Sequence, residues 1–264
     1  MTSVAEDLTT EWQRWHDERE ETLRDPHGWL SLTALEWLQP TPRAIDALPG
    51  TWAAPGDGTV VVTAAAADGV EVDGTMVDGS VAVTPVDGAP GVLVTVGDKV
   101  VELARRTDAY VLRVRDPEAP TRRDFTGVPA FPVDPRWVVT GRYEPYAEPQ
   151  RITVGAVVDG LQHFPTAVGT VRFTVDGVEQ QLTALAGKDG GLSLHFRDAT
   201  SGTTTYGGGR ILRTDDAAGD GSLVIDFNRT VNLPCALTAF ATCPLPPAEN
   251  VLDVAVDAGE KSDH

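Results

Sequence analysis

From Thr51 onward the chain is a succession of short β-branched runs cut by Asp-Gly and Gly-Asp pairs: Asp68-Gly69, Asp73-Gly74, Asp78-Gly79, Asp87-Gly88 and Gly97-Asp98. Such pairs accept positive φ at little cost, so each is a hairpin signal, and a chain interrupted this often has no room for long helices. The spacing predicts strands over 59–65, 81–84, 92–96, 100–105 and 110–115. A Pro-rich stretch from Asp116 to Pro135 separates these from a second meander. Its strands are predicted over 136–143, 151–158, 169–175, 179–185, 192–197, 210–213, 223–227 and 251–256. Many short strands at this interval define a mainly β fold, two β-rich meanders of sandwich or barrel type.

Only the first 45 residues depart from this pattern. Ser3 to Glu6 forms a capping-box pattern, and Leu8, Trp12, Trp15 and Leu23 follow helical spacing, which predicts a helix over 4–24 that Pro26 and Gly28 end. Leu32, Leu35 and Leu38 after Ser31 predict a second, short helix before Pro40. The reading gives three segments: a helical 1–45 packing on the β core, a first β-rich half 46–120, and a second half 121–264 that ends in a Pro-rich strap.

With 264 residues, a core of ordinary size needs no staples, and Cys235 and Cys243 are too few for a disulfide framework. They are expected to be reduced and mainly structural, with the intervening Ala-Leu-Thr-Ala-Phe segment packing against the second meander. The N-terminus has neither a basic n-region nor an apolar h-region, and the apolar run near 60–67 is too short to span a bilayer, so a cytoplasmic protein is expected. The formal charge of −18 speaks against nucleic acid and anionic membrane surfaces as partners. Lys99, Lys188 and Lys261 are the only lysines, and carboxylates run the whole length. That surface fits a halophilic protein, and an Arg-for-Lys bias from a GC-rich genome would leave a similar trace. On the halophilic reading the unfolding midpoint rises between low salt and molar KCl, because screening shortens from ~10 Å at 0.1 M to ~3 Å at 1 M. An unchanged or lower midpoint removes it.

Standard chemical fingerprints are absent. Gly207-Gly-Gly209-Arg210 lacks the Lys-Ser/Thr ending of a phosphate loop and leads into a strand, which makes it a hairpin feature. The two cysteines have the wrong spacing for a zinc knuckle, and His16, His27, His163, His195 and His264 are scattered, so no metal or other cofactor is implied. A hydrolase with Cys235 or Cys243 activated by His163 or His195 rests on residue types alone.

Two polar constellations stand out. Arg105, Arg106, Arg113, Arg115, Arg122 and Arg123 crowd one hairpin and its exit in an otherwise acidic chain. Alternation puts Arg105 on the face of Val101 and Leu103, and a tight hairpin could present Arg105 and Arg113 together to a carboxylate or phosphate, unless acids such as Asp116 and Asp124 neutralise them. The second constellation joins Asp198, Thr200, Tyr206 and Arg210 with Asp226 and Asn228, which share one strand face. Arg210 is the natural countercharge for Asp198 or Asp226. Asp198 and Thr200 beside Gly202 also read as turn formers.

These residues carry a resemblance. Phe196-x-Asp198-x-Thr200, Thr205-Tyr206 with Arg210, Asp226-Phe-Asn228, Asn232-x-Pro-Cys-Ala236, Ala241-Thr-Cys-Pro-Leu-Pro-Pro247, Glu249-Asn250 and Ala258-Gly-Glu260 closely resemble the domain-of-unknown-function 1684 family. His27-Gly-Trp-Leu30, Leu112 to Asp116 and Phe131 to Trp137 extend the resemblance over most of the chain. Leu233 stands where the family pattern usually has another Pro, and 207–209 is unusually Gly-rich. The resemblance implies no activity and no catalytic residues. The function expected from the residues is a site for a small polar or anionic molecule, binding or enzymatic, formed by Arg105, Arg113, Asp198, Tyr206, Arg210, Asp226 and Asn228. The competing reading is a structural or interaction module in which these motifs only hold loops in place.

Overall fold

The structure, a computed structural model, describes residues 4–262. The chain falls into two compact units, one of Met1–Glu20, Thr126–Leu237 and Thr242–His264, the other of Glu21–Phe125 and Thr238–Ala241. The first helix, α1, runs over Val4–Leu23, and the capping role read for Ser3 lies outside the described residues.

The unit that starts at Glu21 is a two-sheet sandwich. Its strands are β1 (Leu32–Trp37), β2 (Arg43–Ile45), β3 (Leu48–Ala53), β4 (Val60–Ala64), β5 (Val70–Val72), β6 (Thr75–Met76), β7 (Gly79–Val83), β8 (Val92–Val96), β9 (Lys99–Arg106) and β10 (Ala109–Arg115), followed by the short helix α2 (Pro120–Arg123). One sheet has the order β1-β10-β9-β8-β5-β6 and the other β2-β3-β4-β7. Alternate residues of both, among them Trp52, Val60, Val62, Val94, Val101, Leu103 and Leu112, meet in one apolar core. The Asp73-Gly74 turn has positive φ at both residues, which is what a two-residue loop between right-twisted strands requires.

The helix read over 31–38 is instead strand β1, and the second helix is α2. Eight residues cannot sustain a helix alone, whereas the open edge of β10 offers a ladder: Leu35 pairs with Arg113, Trp37 with Val111, and Leu38 donates to Tyr110. Tertiary pairing overrode a weak local pattern.

In the other unit the strands are β11 (Val138–Arg151), β12 (Val154–Gly155), β13 (Gln162–His163), β14 (Thr166–Val175), β15 (Val178–Ala186), β16 (Leu192–Phe196), β17 (Arg210–Thr214), β18 (Ser222–Asp226) and β19 (Val231–Asn232). Seven of them form a half-barrel in the order β18-β11-β14-β15-β16-β17-β19. Trp137, Phe173, Phe196 and Phe227 fill it, with Phe227 edge-on to Trp137 and Phe196. Trp12 of α1 is buried in this unit and donates its indole N–H to the Asn228 carbonyl at 2.6 Å.

The strand expected over 251–256 does not form. That stretch makes a single bridge, Val251 to Arg197, and its backbone bonds irregularly to 197–199. One amide, Val256 N–H, goes to the Asp198 carboxylate at 2.7 Å, so the alternation of Leu252, Val254 and Val256 serves a strap and not a ladder. Among the described residues, no helix is long and apolar enough to cross a membrane.

Candidate functional site

Arg105 and Arg113 point to opposite faces of their hairpin. Arg105 lies opposite Tyr110 on the core face, where its Nε donates to the Thr107 carbonyl. Arg113 lies opposite Glu102, because antiparallel partners share a face and the register offsets the two arginines by an odd step. Glu102 collects Arg106 at 3.4 Å, Arg113 at 3.5 Å and Arg115 at 3.0 Å. Of the acids expected to neutralise this region, Asp116 pairs with Lys99 and Asp124 with Arg123.

Arg210 does meet Asp198, at 3.3 Å, with both side chains fully buried. The guanidinium is otherwise spent on backbone: it donates to the carbonyls of Val256 at 2.9 Å, Ala258 at 2.6 Å and Glu260 at 3.4 Å. Asp198 in turn accepts from Thr200, Ser201 and the Val256 amide. Burial pulls Arg210 below its ordinary pKa, and Asp198, Asp257 and Glu260 pull it back. Glu260, also buried, holds Arg19 and the Asn232 amide. This network ties the C-terminal strap to the half-barrel. Gly209 just before it has φ of 98°, and a side chain there would strike the Phe196 carbonyl and Pro246.

Asp226 is not part of that network. It accepts from the backbone and side chain of Asn228 and pairs with Arg229 at 3.4 Å. Asn228 bonds both backbone groups of Asp134, fixing the Phe131 to Trp137 loop. Tyr206 lies near Cys235 and Cys243. Burial and the two cysteines hold its phenol up to about 12, so it keeps its proton. The two histidines weighed as activators of the cysteines bond elsewhere: His163 to the Thr242 carbonyl at 2.6 Å, His195 to Ser193 at 3.0 Å.

The last pair opens the more informative place. Leu192, Leu194 and Phe196 of β16 face the barrel core, so Ser193 and His195 face the opposite side, with Arg213 and Ile211 across the ladder on β17. The segment Pro244-Leu245 covers this face, held by the bond from Leu245 N–H to the Gly155 carbonyl. Between them lies a cavity of about 250 Å³ with apolar walls of Val154, Leu185, Ile211 and Leu245, and with Lys188, Ser193, His195 and Arg213 as its polar groups. Burial, then Arg213, lowers the His195 imidazole to about 4, so it is neutral at physiological pH; its Nδ1 is buried without a hydrogen-bond partner. Burial and Arg19 lower Arg213, while Asp189 acts in the other direction.

Neither Arg213 nor Lys188 has a carboxylate within 4.0 Å among the described residues, in a chain of 39 acidic and 21 basic side chains. Sequence reasoning passed over Ser193, Lys188 and Arg213. The alternation Leu-Ser-Leu-His-Phe would have put Ser193 and His195 on one face, but the strap that roofs them comes from fifty residues away. A wider concavity of about 600 Å³ over β11, β14 and β15 is lined by Arg142, Arg172 and Glu179, and there Glu144 already answers Arg172 at 3.1 Å. Among the described residues no group of three or more His, Cys, Asp or Glu is placed to hold a metal.

The buried imidazole gives a pH signature. The unfolded chain protonates His195 near 6.5 and the folded one only near 4, so between these values the unfolded state binds the extra proton and stability falls as pH falls. The expected loss is about 3 kcal/mol across that window. His195→Gln should flatten the pH dependence of urea unfolding by that amount; an unchanged slope would show that the imidazole titrates normally.

Fold and site together define a mainly β protein: a sandwich unit, and a half-barrel unit whose outer face has a small cavity, cationic at its polar end. Residues 123–261 match the family described as "Protein of unknown function (DUF1684)", and the chain belongs to it. Among the solved structures that match is the solution NMR structure of an uncharacterized protein from gene locus rrnAC0354 of Haloarcula marismortui. It is 33% identical, with a TM-score of 0.46 over 55% of this chain and 81% of that one. None of the curated proteins compared with the chain matches it.

Proposed function

We propose that the half-barrel unit binds a small organic carboxylate in the cavity lined by Ser193, His195, Arg213 and Lys188. The observation that carries this reading is the convergence of two cations, Arg213 and Lys188, with no carboxylate within 4.0 Å among the described residues, at one cavity of a strongly acidic protein, beside a neutral imidazole with an unused nitrogen. An arginine fork suits a carboxylate in bidentate fashion, and Arg213 and Lys188 are both exposed, within reach of a ligand arriving from solvent. The volume of about 250 Å³ lies below the ~300 Å³ lower end of pockets for drug-sized ligands, so the occupant is small. Val154, Leu185, Ile211 and Leu245 suit a short apolar body. The Asp198–Arg210 and Asn228–Asp226 groups, whose hydrogen bonds end on one another and on backbone, support a structural role in the same unit.

Butyrate and its neutral isostere butyramide separate charge recognition from apolar filling. Calorimetric titration should detect butyrate binding, at least ten-fold weaker binding of butyramide, and a ten-fold or larger loss for butyrate in Arg213→Ala, about 1.4 kcal/mol per factor of ten. Equal affinity for the two probes, or full affinity in Arg213→Ala, would refute the proposal.

A further inference from the structure

Cys235 and Cys243 form a reciprocal pair: the Cys235 amide donates to the Cys243 sulfur at 3.3 Å, and the Cys243 amide donates to the Cys235 sulfur at 3.3 Å. Each thiol is thereby held against its partner's backbone, and both cysteines lie close enough to the Tyr206 phenol to raise its pKa. Local structure fixes both ends. Cys235 sits in the single 3-10 turn Pro234–Ala236, and Cys243 is anchored by its carbonyl, which accepts from Val157 N–H. The thiolate is the reactive form in thiol–disulfide exchange. Cys235 is half-buried and Cys243 buried, so an external reagent reaches Cys235 first.

We propose that Cys235 and Cys243 are a redox pair that closes to an intramolecular disulfide by exchange with a small-molecule disulfide. The Cys235 thiolate, its proton gone to solvent, attacks one sulfur of the reagent, forming a mixed disulfide and expelling a thiolate. The Cys243 thiolate then attacks the Cys235 sulfur and expels the second. Both protein thiols lose their hydrogens and are oxidised together by two electrons, and the reagent is reduced to two thiols. Because Cys243 leads directly into Pro244-Leu245, the bond would tether one wall of the cavity at its base. The pair stands on its own geometry, and its failure would leave the carboxylate proposal untouched.

The native protein, incubated with oxidised glutathione and digested without reduction, decides the matter. No Lys or Arg lies between Arg229 and Lys261, so trypsin releases both cysteines in one peptide. The expected result is that peptide lighter by two hydrogens and restored by dithiothreitol, while Cys243→Ser instead retains one glutathione on Cys235. Two glutathiones on the wild-type peptide, or unmodified thiols in native protein under conditions that oxidise it in urea, would overturn the proposal.

Discussion

Arg210→Met should lower the free energy of unfolding by about 3 to 5 kcal/mol in a urea titration at neutral pH, the cost typical of stranding one member of a buried ion pair. Removing the guanidinium strands more than Asp198. The carbonyls of Val256, Ala258 and Glu260 lose their donor as well, and with them the C-terminal strap loses its hold on the half-barrel. Adding Asp198→Asn should return part of the loss, since it removes the stranded charge while leaving an oxygen for the Val256 amide and Thr200. A single mutant within 1 kcal/mol of wild type would mean that this network contributes little to holding the strap.

Asn250→Ala should cost about 3 kcal/mol or more. Strands β15 and β16 share only two register pairs, Leu185 with Ser193 and Ala186 with Leu192, and then diverge. The Asn250 side chain fills the divergence, accepting from Thr183 N–H at 2.8 Å and donating to the carbonyls of Thr183 at 2.9 Å and His195 at 2.8 Å. Truncation takes their partner from the two buried backbone groups of Thr183 and the part-buried His195 carbonyl, each bond worth about 1 kcal/mol or more. The same mutant should show faster hydrogen exchange at the Thr183 amide; unchanged exchange and stability would place the clamp elsewhere.

The elements readable in advance are those whose signals are local. Gly97-Asp98 between two β-branched runs marks the β8–β9 hairpin, and the strand read over 92–96 is found with those bounds. Leu32 to Leu38 misled because three leucines at helical spacing say nothing about the open edge of β10, eighty residues away. Residues 251–256 misled for a related reason: alternation was present, but the neighbouring chain met them with the Asp198 carboxylate in place of a strand edge. At the sites, charge and chain order narrowed the partner of Arg210 to Asp198 or Asp226, and it is Asp198 that meets it, while Asp226 pairs with Arg229. Register was needed to separate Arg105 from Arg113, and hairpin register is set by the turn, which here holds Thr107 at positive φ. The cavity was the least legible feature, since Ser193, His195 and Arg213 become a site only where Pro244-Leu245 crosses over them.

The titration of His195 by NMR, in the free protein and with saturating butyrate, tests the carboxylate site most directly. In the free protein the imidazole should titrate at about 4. A carboxylate in the cavity offsets the Arg213 charge that depresses this value and favours the imidazolium itself, so the midpoint should move upward, into the range above about 4.3 where a carboxylic acid is ionised. A His195 midpoint that stays in place while butyrate saturates the protein, or His195 resonances that never respond to it, would contradict the account.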